Sequence, residues 1–300
     1  MKTLSIGIPA YNEEKNIGLL IETLLKQKLD DIKLLKITVI SDCSTDKTDR
    51  TVNSSTDLRV NLVKNIERKG KAFSLDRLFS ISEADVVVII DADTVIKDTN
   101  FLQKLVSPIL NKGADLTAAQ IEELPSRSFV GQILDASMKF KKNIYYKYKN
   151  GQNVYTCCGR ARAFSKKLYK SIKFGKKFTS SEDAYSYIYC NINKFTYYPV
   201  VLAKIYYKLP QSLPDHISQS MRFFNSKNEL TDNIDDNILK TEYYLPTSLI
   251  VGSFLKILTK YPIILFYIPI LVLSSLQSKF DRSSNTPWEV AISSKIYEKK

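Results

Sequence analysis

The chain has 300 residues and a formal net charge of +13, and 44% of its residues are hydrophobic. That length is enough for one large domain with its own core and a smaller appendage. The four cysteines have no CxxC spacing and the chain has one histidine, which argues against a tetrahedral zinc site and against a Ser-His-Asp triad.

Three apolar segments in the first hundred residues each end in a polar loop and are followed by an amphipathic helical pattern. They are residues 4–8, 37–40 and 86–90. This alternation is typical of βαβ units and predicts an α/β fold with a doubly wound, mainly parallel sheet flanked by helices. Because ligands bind beyond the carboxyl ends of parallel strands, we expect the loops after these segments to form one site. The same patterns predict further strands at residues 58–64, 114–121, 154–158 and 162–164, and helices at about 13–28, 100–111 and 184–193.

The segment Val86–Ile90 is an unbroken apolar run that ends at two carboxylates one residue apart, Asp91 and Asp93. Such a run is typical of a strand covered on both faces. Two neighbouring acids repel each other, and repel a phosphate, unless a divalent cation joins them. Carboxylate oxygens that are completed by phosphate and water suit Mg²⁺ or Mn²⁺. A solvated Asp-Ala-Asp turn that closes a buried strand is the structural alternative, and these residues alone leave both open.

Six short motifs follow one another in the order found in a known enzyme family. They are Ile8–Glu14 (IPAYNEE), Asp42–Thr48 (DCSTDKT), Lys69–Ala72 (KGKA), Asp91–Asp93 (DAD), Ser181–Asp183 (SED) and Gln219–Phe223 (QSMRF). Over roughly residues 3–225 the sequence resembles the family 2 glycosyltransferases, which have a GT-A fold and transfer a sugar from a nucleotide donor with inversion. Two positions depart from the usual family pattern: threonine is usual where Ser181 stands, and members that elongate polysaccharides usually carry tryptophan where Phe223 stands.

The resemblance implies a nucleotide-sugar site, a metal site and a catalytic base. The residues expected to contact the donor are Pro9, Ala10, Tyr11, Glu13, Asp42, Lys71, Asp91, Ala92, Asp93 and Arg222. Within the DXD motif, Asp93 and Asp91 would hold Mg²⁺ or Mn²⁺. Asp183 would be the general base that accepts the proton of the acceptor hydroxyl. The residues expected to contact the acceptor are Gly159, Glu182, Gln219 and Phe223.

Several of these assignments have a structural alternative. Glu13 also suits the first turn of a helix, and Asp42 suits an Asx-turn. Lys71 suits the protein surface as well as a diphosphate at a helix N-terminus. Ser180 or Ser181, followed by two acids, is typical of a helix N-cap. The order of the motifs, rather than any single residue, favours the functional assignments.

One segment carries the whole excess of positive charge. Residues 136–181 contain no acidic residue, and this segment predicts an anionic partner, with a solvated basic face as the alternative. An anionic membrane surface or a phosphorylated lipid fits better than nucleic acid, because a long apolar segment follows. The basic residues are Lys139, Lys141, Lys142, Lys147, Lys149, Arg160, Arg162, Lys166, Lys167, Lys170, Lys173, Lys176 and Lys177.

The C-terminal part predicts attachment to a membrane. We expect a catalytic domain over residues 1–228, an acidic linker over 229–244, an apolar helical membrane-associating segment over 245–280 and a polar tail over 281–300. Residues 261–276 carry no charge but contain Pro262 and Pro269. As a helix they would reach roughly 24 Å, short of the ~30 Å hydrocarbon core, which favours a re-entrant or in-plane anchor over a single span. A buried helix pair that covers the catalytic domain is the alternative.

Together these features predict an inverting glycosyltransferase of cell-envelope or glycan biosynthesis at the cytoplasmic face of the cell membrane. It would move a sugar from a nucleotide-diphosphate sugar to a lipid-linked or glycan acceptor. One alternative is transfer to a polyprenyl phosphate, which is already ionised and needs no base. Another is a non-catalytic membrane- or nucleic-acid-binding protein on the same scaffold. A sugar-phosphate nucleotidyltransferase is disfavoured, because its Gly-rich N-terminal loop is missing.

Overall fold

A seven-stranded sheet in the order β3-β2-β1-β4-β6-β5-β7 forms the centre of the molecule. The structure is a computed structural model that describes residues 1–175, 178 and 181–280, without the side chains of 222–228 and 277–280. Strand β6 runs antiparallel to β4 and β5, and the other pairs are parallel. The predicted mainly parallel α/β sheet is therefore confirmed. The strands are β1 Lys2–Ala10, β2 Ile32–Ser41, β3 Val60–Lys64, β4 Val86–Ile90, β5 Leu116–Glu123, β6 Ala161–Ser165 and β7 Tyr197–Tyr207.

Helices cover both faces of this sheet. Val88 in β4 packs with helices α1 and α4, and its neighbour Val87 packs on the opposite face with α3, α6 and α7. Every residue of β4 is buried, which explains why its sequence is an unbroken apolar run. The helices are α1 Ile17–Leu25, α2 Thr48–Asn53, α3 Lys71–Ile81, α4 Phe101–Asn111, α5 Phe129–Tyr145, α6 Lys166–Ser171, α7 Glu182–Ile192, α8 Leu213–Thr231, α9 Asp236–Glu242, α10 Thr247–Lys260 and α11 Tyr267–Phe280, with 3₁₀ turns at Tyr148–Gly151, Val154–Thr156 and Pro262–Phe266.

The carboxyl ends of β1, β2 and β4 lie at one edge of the sheet. In the parallel register, Ala10 at the end of β1 pairs with Ser41 at the end of β2. The Asp42 amide then donates to the Ala10 carbonyl at 2.8 Å. The Asp91 amide donates to the Arg160 carbonyl at 2.9 Å, so the start of β6 joins the same edge. The loops that the sequence predicts to form one site are therefore neighbours.

One local prediction differs from the structure, and one strand was not predicted. Residues 154–158, which we expected to form a strand, contain the 3₁₀ turn Val154–Thr156 instead. The Asn153 side chain accepts from the Tyr155 amide at 3.1 Å and donates to the Tyr145 carbonyl at 2.7 Å. Such side-chain bonds to the backbone compete with the hydrogen bonds of a β-sheet. The edge strand β7 is a further element that the sequence patterns did not predict.

The expected acidic linker is mostly helical, and only two of its residues are buried. Residues 229–244 form the end of α8 and all of α9, and Leu230 and Leu239 are buried beside α7. The Tyr155 hydroxyl donates to the Tyr243 carbonyl at 2.6 Å. Acidic composition alone favoured a solvated connection, whereas the apolar residues spaced along this stretch give it a buried face. The expected polar tail, residues 281–300, lies outside the described residues.

The C-terminal helices are buried on one face and exposed on the other. Ile257, Ile264 and Ile270 pack against Ile133 and Leu134 of α5. Among the described helices, none combines the length and apolar character needed to cross a lipid bilayer. The outer side of α10 and α11, which we call the apolar face, consists of exposed hydrophobic residues: Val251, Leu255, Leu265, Phe266, Ile268, Leu271, Val272, Leu273 and Leu276.

Most of the described basic residues of this segment lie within 4.0 Å of a carboxylate, several of them at the protein surface, and the anionic partner stays a prediction. Sequence composition counted its charges as free because the acids that pair with them lie elsewhere in the chain. Lys176 and Lys177 lie outside the described residues. The pairs within 4.0 Å are Lys139 with Asp135, Lys142 with Glu122 and Glu123, Lys149 with Glu242, Arg160 with Asp93, Arg162 with Glu182, and Lys166 and Lys170 with Glu83.

Candidate active site

A cavity of about 610 Å³ opens at the carboxyl edge of the sheet. Its charged side is formed by the loops after β1, β2 and β4 and by the first turns of α3 and α7. Its helical side is formed by α5, α8 and α11. Arg222 and Phe223 fall among the α8 residues whose side chains are not described. The predicted site residues that line the cavity are Pro9, Ala10, Tyr11, Glu13, Asp42, Lys71, Asp91, Ala92, Asp93, Gly159, Glu182, Asp183 and Gln219.

Each carboxylate of the Asp-Ala-Asp loop faces a cation that belongs to the protein. Lys71 Nζ lies 2.6 Å from Asp91 Oδ1, and Arg160 Nη1 lies 3.3 Å from Asp93 Oδ1. The Arg160 guanidinium also lies 3.8 Å from the centre of the Tyr207 ring, which holds it beside the loop. Two neighbouring acids are thus balanced within the fold, which the sequence argument did not foresee.

Lys71 is the centre of a buried ion network. Its side chain is 4% exposed, and Nζ also lies 2.8 Å from Glu182 Oε1 and donates to the Gly159 carbonyl at 3.1 Å. Burial favours the neutral amine, but the carboxylates of Asp91 and Glu182 outweigh it and raise the pKa of Lys71 above its usual value. Lys71 is therefore a fixed cation beneath the cavity and not a surface charge.

Arg162, which the sequence argument missed, is fully buried beneath the same network. Its Nη1 donates to the Ser186 hydroxyl at 2.7 Å and to the Glu182 carbonyl at 3.1 Å, and Nη2 lies 3.5 Å from the Glu182 carboxylate. Burial opposes ionisation of Glu182, but Lys71 and Arg162 together lower its pKa. The Glu182 carboxylate is thus held between two cations, and its contact with an acceptor stays a prediction. A buried arginine in β6 has no local sequence signal.

Asp183 lies one residue further on, in the first turn of α7. Its Oδ2 accepts from the Gly159 amide at 3.2 Å and its Oδ1 from the Ala184 amide at 2.7 Å. Burial, together with the neighbouring Glu182 charge, raises the pKa of Asp183 above the usual aspartate value. A carboxylate with a raised pKa is a stronger base, so its environment suits proton acceptance.

The expected N-cap at the start of α7 is not formed by a side chain. Ser181 occupies the cap position without a side-chain cap bond, and its hydroxyl donates to Glu229 Oε2 at 2.8 Å instead. This bond ties the start of α7 to the end of α8. Ser180 lies outside the described residues.

Asp42 organises a loop rather than pointing freely into the cavity. Its carboxylate accepts from Asn65 Nδ2 at 2.7 Å, from the Lys69 amide at 2.9 Å and from the Gly70 amide at 2.7 Å. These bonds fix the turn that starts α3 and so position Lys71. These contacts come from residues 23 to 28 positions further along the chain and are not an Asx-turn, and a contact with the nucleotide base would have to share this carboxylate.

The donor set of the loop fits a hard divalent cation that is completed by other oxygens. Among residues 1–175, 178 and 181–280, no three His, Cys, Asp or Glu side chains are grouped to hold a metal by themselves. Asp93 lines the cavity, its side chain is 28% exposed, and its contacts to Arg160 are long, at 3.3 and 3.4 Å. Two carboxylates with phosphate and water are a usual environment for Mg²⁺ or Mn²⁺.

Comparison with known proteins gives one family and a set of related folds. The profile of glycosyl transferase family 2 matches residues 5–173. Glycosyltransferase GlyG of Streptococcus pneumoniae serotype 4 is 25% identical over 115 residues, which are 38% of this chain. The match covers only 37% of that protein's length.

Solved structures resemble the chain over most of its length. A mannosyltransferase, PcManGT from Pyrobaculum calidifontis in complex with GDP-Man and Mn²⁺, has a TM-score of 0.64 at 16% identity and covers 93% of this chain and 88% of its own. Glucosyl-3-phosphoglycerate synthase from Mycobacterium tuberculosis, with Mn²⁺, UDP and glucosyl-3-phosphoglycerate, has a TM-score of 0.56 at 20% identity and covers 82% of each chain. TarS from S. aureus in complex with UDP has a TM-score of 0.53 at 19% identity and covers 79% of this chain and 68% of its own. At these identities the likeness establishes the fold.

Proposed function

The chain belongs to glycosyl transferase family 2, and from that premise we propose that it transfers a sugar from a nucleotide-diphosphate sugar to an acceptor, with inversion at the anomeric carbon. The observation that carries the proposal is a single cavity that contains the loops after β1 and β2, the pair Asp91 and Asp93, and Asp183. A donor site, a metal site and a base would each be insufficient alone. Their shared cavity gives all three access to one reacting centre.

The charged side of the cavity would bind the donor. Mg²⁺ or Mn²⁺, held by Asp93 and Asp91, would stabilise the negative charge on the departing diphosphate. The related mannosyltransferase, solved with GDP-Man and Mn²⁺, supports this cofactor. Arg160 and Lys71 add two protein cations at the same loop, and both are fixed before the donor arrives. Fixed charges of this kind favour a developing anion without a reorganisation cost.

Asp183 would accept the proton of the acceptor hydroxyl as its oxygen attacks the anomeric carbon. Two amides, from Gly159 and Ala184, hold the carboxylate in one orientation. A Cβ at Gly159 would lie 3.1 Å from Lys71 Nζ, 3.2 Å from Glu182 Oε1 and 3.4 Å from Asp183 Oδ2, so a larger residue here would press against these side chains. The close approach of this backbone therefore links the ion network to the proposed base.

The acceptor would be a lipid-linked molecule or a glycan, bound at the cytoplasmic face of a membrane. The cavity reaches α11, whose outer side belongs to the apolar face. An in-plane contact between this face and an anionic lipid surface would bring the cavity mouth close to a lipid-linked acceptor. Transfer to a polyprenyl phosphate is the variant of this proposal that needs no base.

The alternative of a non-catalytic protein that binds membranes or nucleic acid has less support from the structure than from the sequence. Its main argument was the basic segment, and most of that charge is engaged in ion pairs with carboxylates from elsewhere in the chain. Nucleic-acid binding needs several cations free to contact phosphates. We therefore retain transfer as the proposed function.

Binding of nucleoside diphosphates tests the proposal directly. We expect UDP or GDP with Mn²⁺ to raise the melting temperature, because a ligand at 100 times its dissociation constant stabilises a protein by about 2.7 kcal/mol. Asp93→Asn should remove the Mn²⁺-dependent part of the shift, whereas the exposed acid Asp232, changed to Asn, should leave it intact. No shift with any nucleoside diphosphate, together with no nucleotide release from a panel of nucleotide sugars and membrane extract, would refute the proposal.

A further inference from the structure

The helical side of the cavity contains a group of polar side chains that the proposed donor site and base do not use. They come from three helices: Lys141 from α5, His216 and Ser220 from α8, and Tyr267 and Ser274 from α11. Apolar residues such as Leu134 and Met138 of α5 and Leu271 of α11 surround them. Polar groups that meet in an otherwise apolar wall are typical of a ligand subsite.

Lys141 is the cation of this group. Its Nζ donates to the Tyr267 hydroxyl at 3.0 Å, and no described carboxylate lies within 4.0 Å of it. Three other described basic residues of the segment 136–181 also form no such ion pair: Lys147, Lys167 and Lys173. Of these four lysines, only Lys141 lines the cavity. The described side chains of the helical side include no acid. A positive charge therefore faces the cavity without a protein counter-charge.

Ser274 provides an independent observation. Its side chain is 2% exposed, it lines the cavity, and its hydroxyl has no hydrogen-bond partner among the described residues. A buried hydroxyl without a partner is costly unless a ligand or water completes it. This hydroxyl is thus an unused donor in the same wall as Lys141.

Two further donors lie in this wall. His216 Nε2 is 3.4 Å from the Ser220 hydroxyl. Burial, reinforced by Lys141, lowers the pKa of His216 to about 4, so the ring is neutral at neutral pH and offers one N–H. Because Lys141 donates to the Tyr267 oxygen, the hydroxyl hydrogen of Tyr267 stays available to another acceptor. The wall is rich in donors and has a single charge.

We propose that Lys141, Tyr267, His216 and Ser274 form an anion subsite that binds a phosphate group of the acceptor. A phosphate has several oxygens and can accept from donors on three helices at once. Lysine suits such a group as a compact point charge. The surrounding apolar wall and the adjacent apolar face favour an acceptor whose phosphate is attached to a hydrocarbon chain. The assignment of this phosphate to the acceptor rests on the proposed function, whereas the subsite itself does not.

Calorimetric titration with three probes tests the subsite. Octyl phosphate carries both the anion and the chain, inorganic phosphate carries only the anion, and octyl glucoside carries only the chain, all below micelle-forming concentrations. We expect octyl phosphate to bind, and Lys141→Gln to weaken its binding about tenfold or more, as for loss of a hydrogen bond to a charged group. Lys147→Gln removes the same charge from an exposed position of the same segment and should change nothing. Tyr267→Phe keeps the ring and should weaken the binding of octyl phosphate by a few fold. It tests the subsite if Lys141→Gln does not fold.

The outcomes distinguish a free phosphorylated acceptor from a lipid phosphate, and they test the subsite separately from sugar transfer. Binding of inorganic phosphate with the same dependence on Lys141 supports the subsite with a free phosphorylated acceptor, and binding of octyl phosphate alone supports a lipid phosphate. No phosphate binding, or equal losses in the Lys141 and Lys147 variants, overturns the subsite. A missing nucleoside-diphosphate shift together with no nucleotide release refutes sugar transfer but leaves these calorimetric results unaffected. The failure of one proposal is therefore distinguishable from the failure of the other.

Discussion

The two sides of the cavity differ in how their charged groups are paired. On the charged side, Lys71, Asp91, Glu182 and Arg162 neutralise one another within the fold. On the helical side, among the described residues, Lys141 contacts the hydroxyl and the ring of Tyr267 and Ser274 Oγ has no hydrogen-bond partner. A network that is already balanced provides a rigid frame for chemistry, whereas an unbalanced group is completed by a ligand.

This difference has a consequence for binding. A donor that enters the charged side meets cations, Lys71 and Arg160, whose carboxylate partners are already supplied by the protein. A phosphate of the acceptor, if it enters the helical side, would add a counter-charge where the described side chains supply none. We therefore expect substitutions on the charged side to affect rate and stability, and substitutions on the helical side to affect ligand affinity.

The largest effect that would sharpen this comparison is expected at Asp183. Asp183→Asn should keep donor binding but reduce transfer to a hydroxyl acceptor by about 10²–10⁴-fold, because a general base is lost. The base must be ionised and burial raises its pKa, so the wild-type rate should fall with decreasing pH at a higher pH than for an exposed aspartate. Rates of nucleotide release measured between pH 5 and 9 give both results.

Asp232→Asn is the matched control for that substitution, since this aspartate is exposed between α8 and α9. It should leave the rate and the pH profile unchanged. Full activity of Asp183→Asn would remove Asp183 from the mechanism. If activity persists specifically with a phosphate acceptor, the variant that needs no base is favoured.

The second effect concerns stability and tests whether the charged side is balanced internally. Lys71→Met should lower the free energy of unfolding by about 3–5 kcal/mol, because it leaves buried carboxylates without their cation. Chemical denaturation monitored by circular dichroism measures this change. Lys69→Met removes an exposed pair with Glu67 from the same loop and should cost less than about 1 kcal/mol. An equal loss of unfolding free energy in the two variants would show that the buried ion network stabilises the fold no more than an exposed ion pair does.

The smallest effect is expected on the apolar face beside the helical side. Leu265→Ser combined with Leu273→Ser should weaken binding to anionic lipid vesicles about tenfold, because each half-exposed leucine contributes about 1 kcal/mol or less on burial in lipid. Sedimentation with vesicles of anionic and of neutral lipids measures the partition. Leu58→Ser combined with Leu202→Ser changes two exposed leucines outside this face and is the control. If the control pair reduces binding equally, the apolar face is not the membrane contact.

Sequence patterns were sufficient to predict the frame of the site. The unbroken run Val86–Ile90 predicted a strand covered on both faces, since burial on both sides of a sheet imposes apolar residues at every position. The order of polar loops after parallel strands predicted that Asp42, Asp91 and Asp93 meet at one edge, because parallel strands place their carboxyl ends together. These are local consequences of pattern and direction, and family membership agrees with them.

The tertiary structure alone decided which charges are paired. Lys71 meets Glu182 from a distant part of the chain, Arg160 meets Asp93, and most of the basic segment finds acids elsewhere. No pattern in a linear segment reports such pairs, because Coulomb interactions depend on separation in space and on burial. The same holds for the wall that contains Lys141 and Ser274, which exists only because three helices from separate parts of the chain pack side by side.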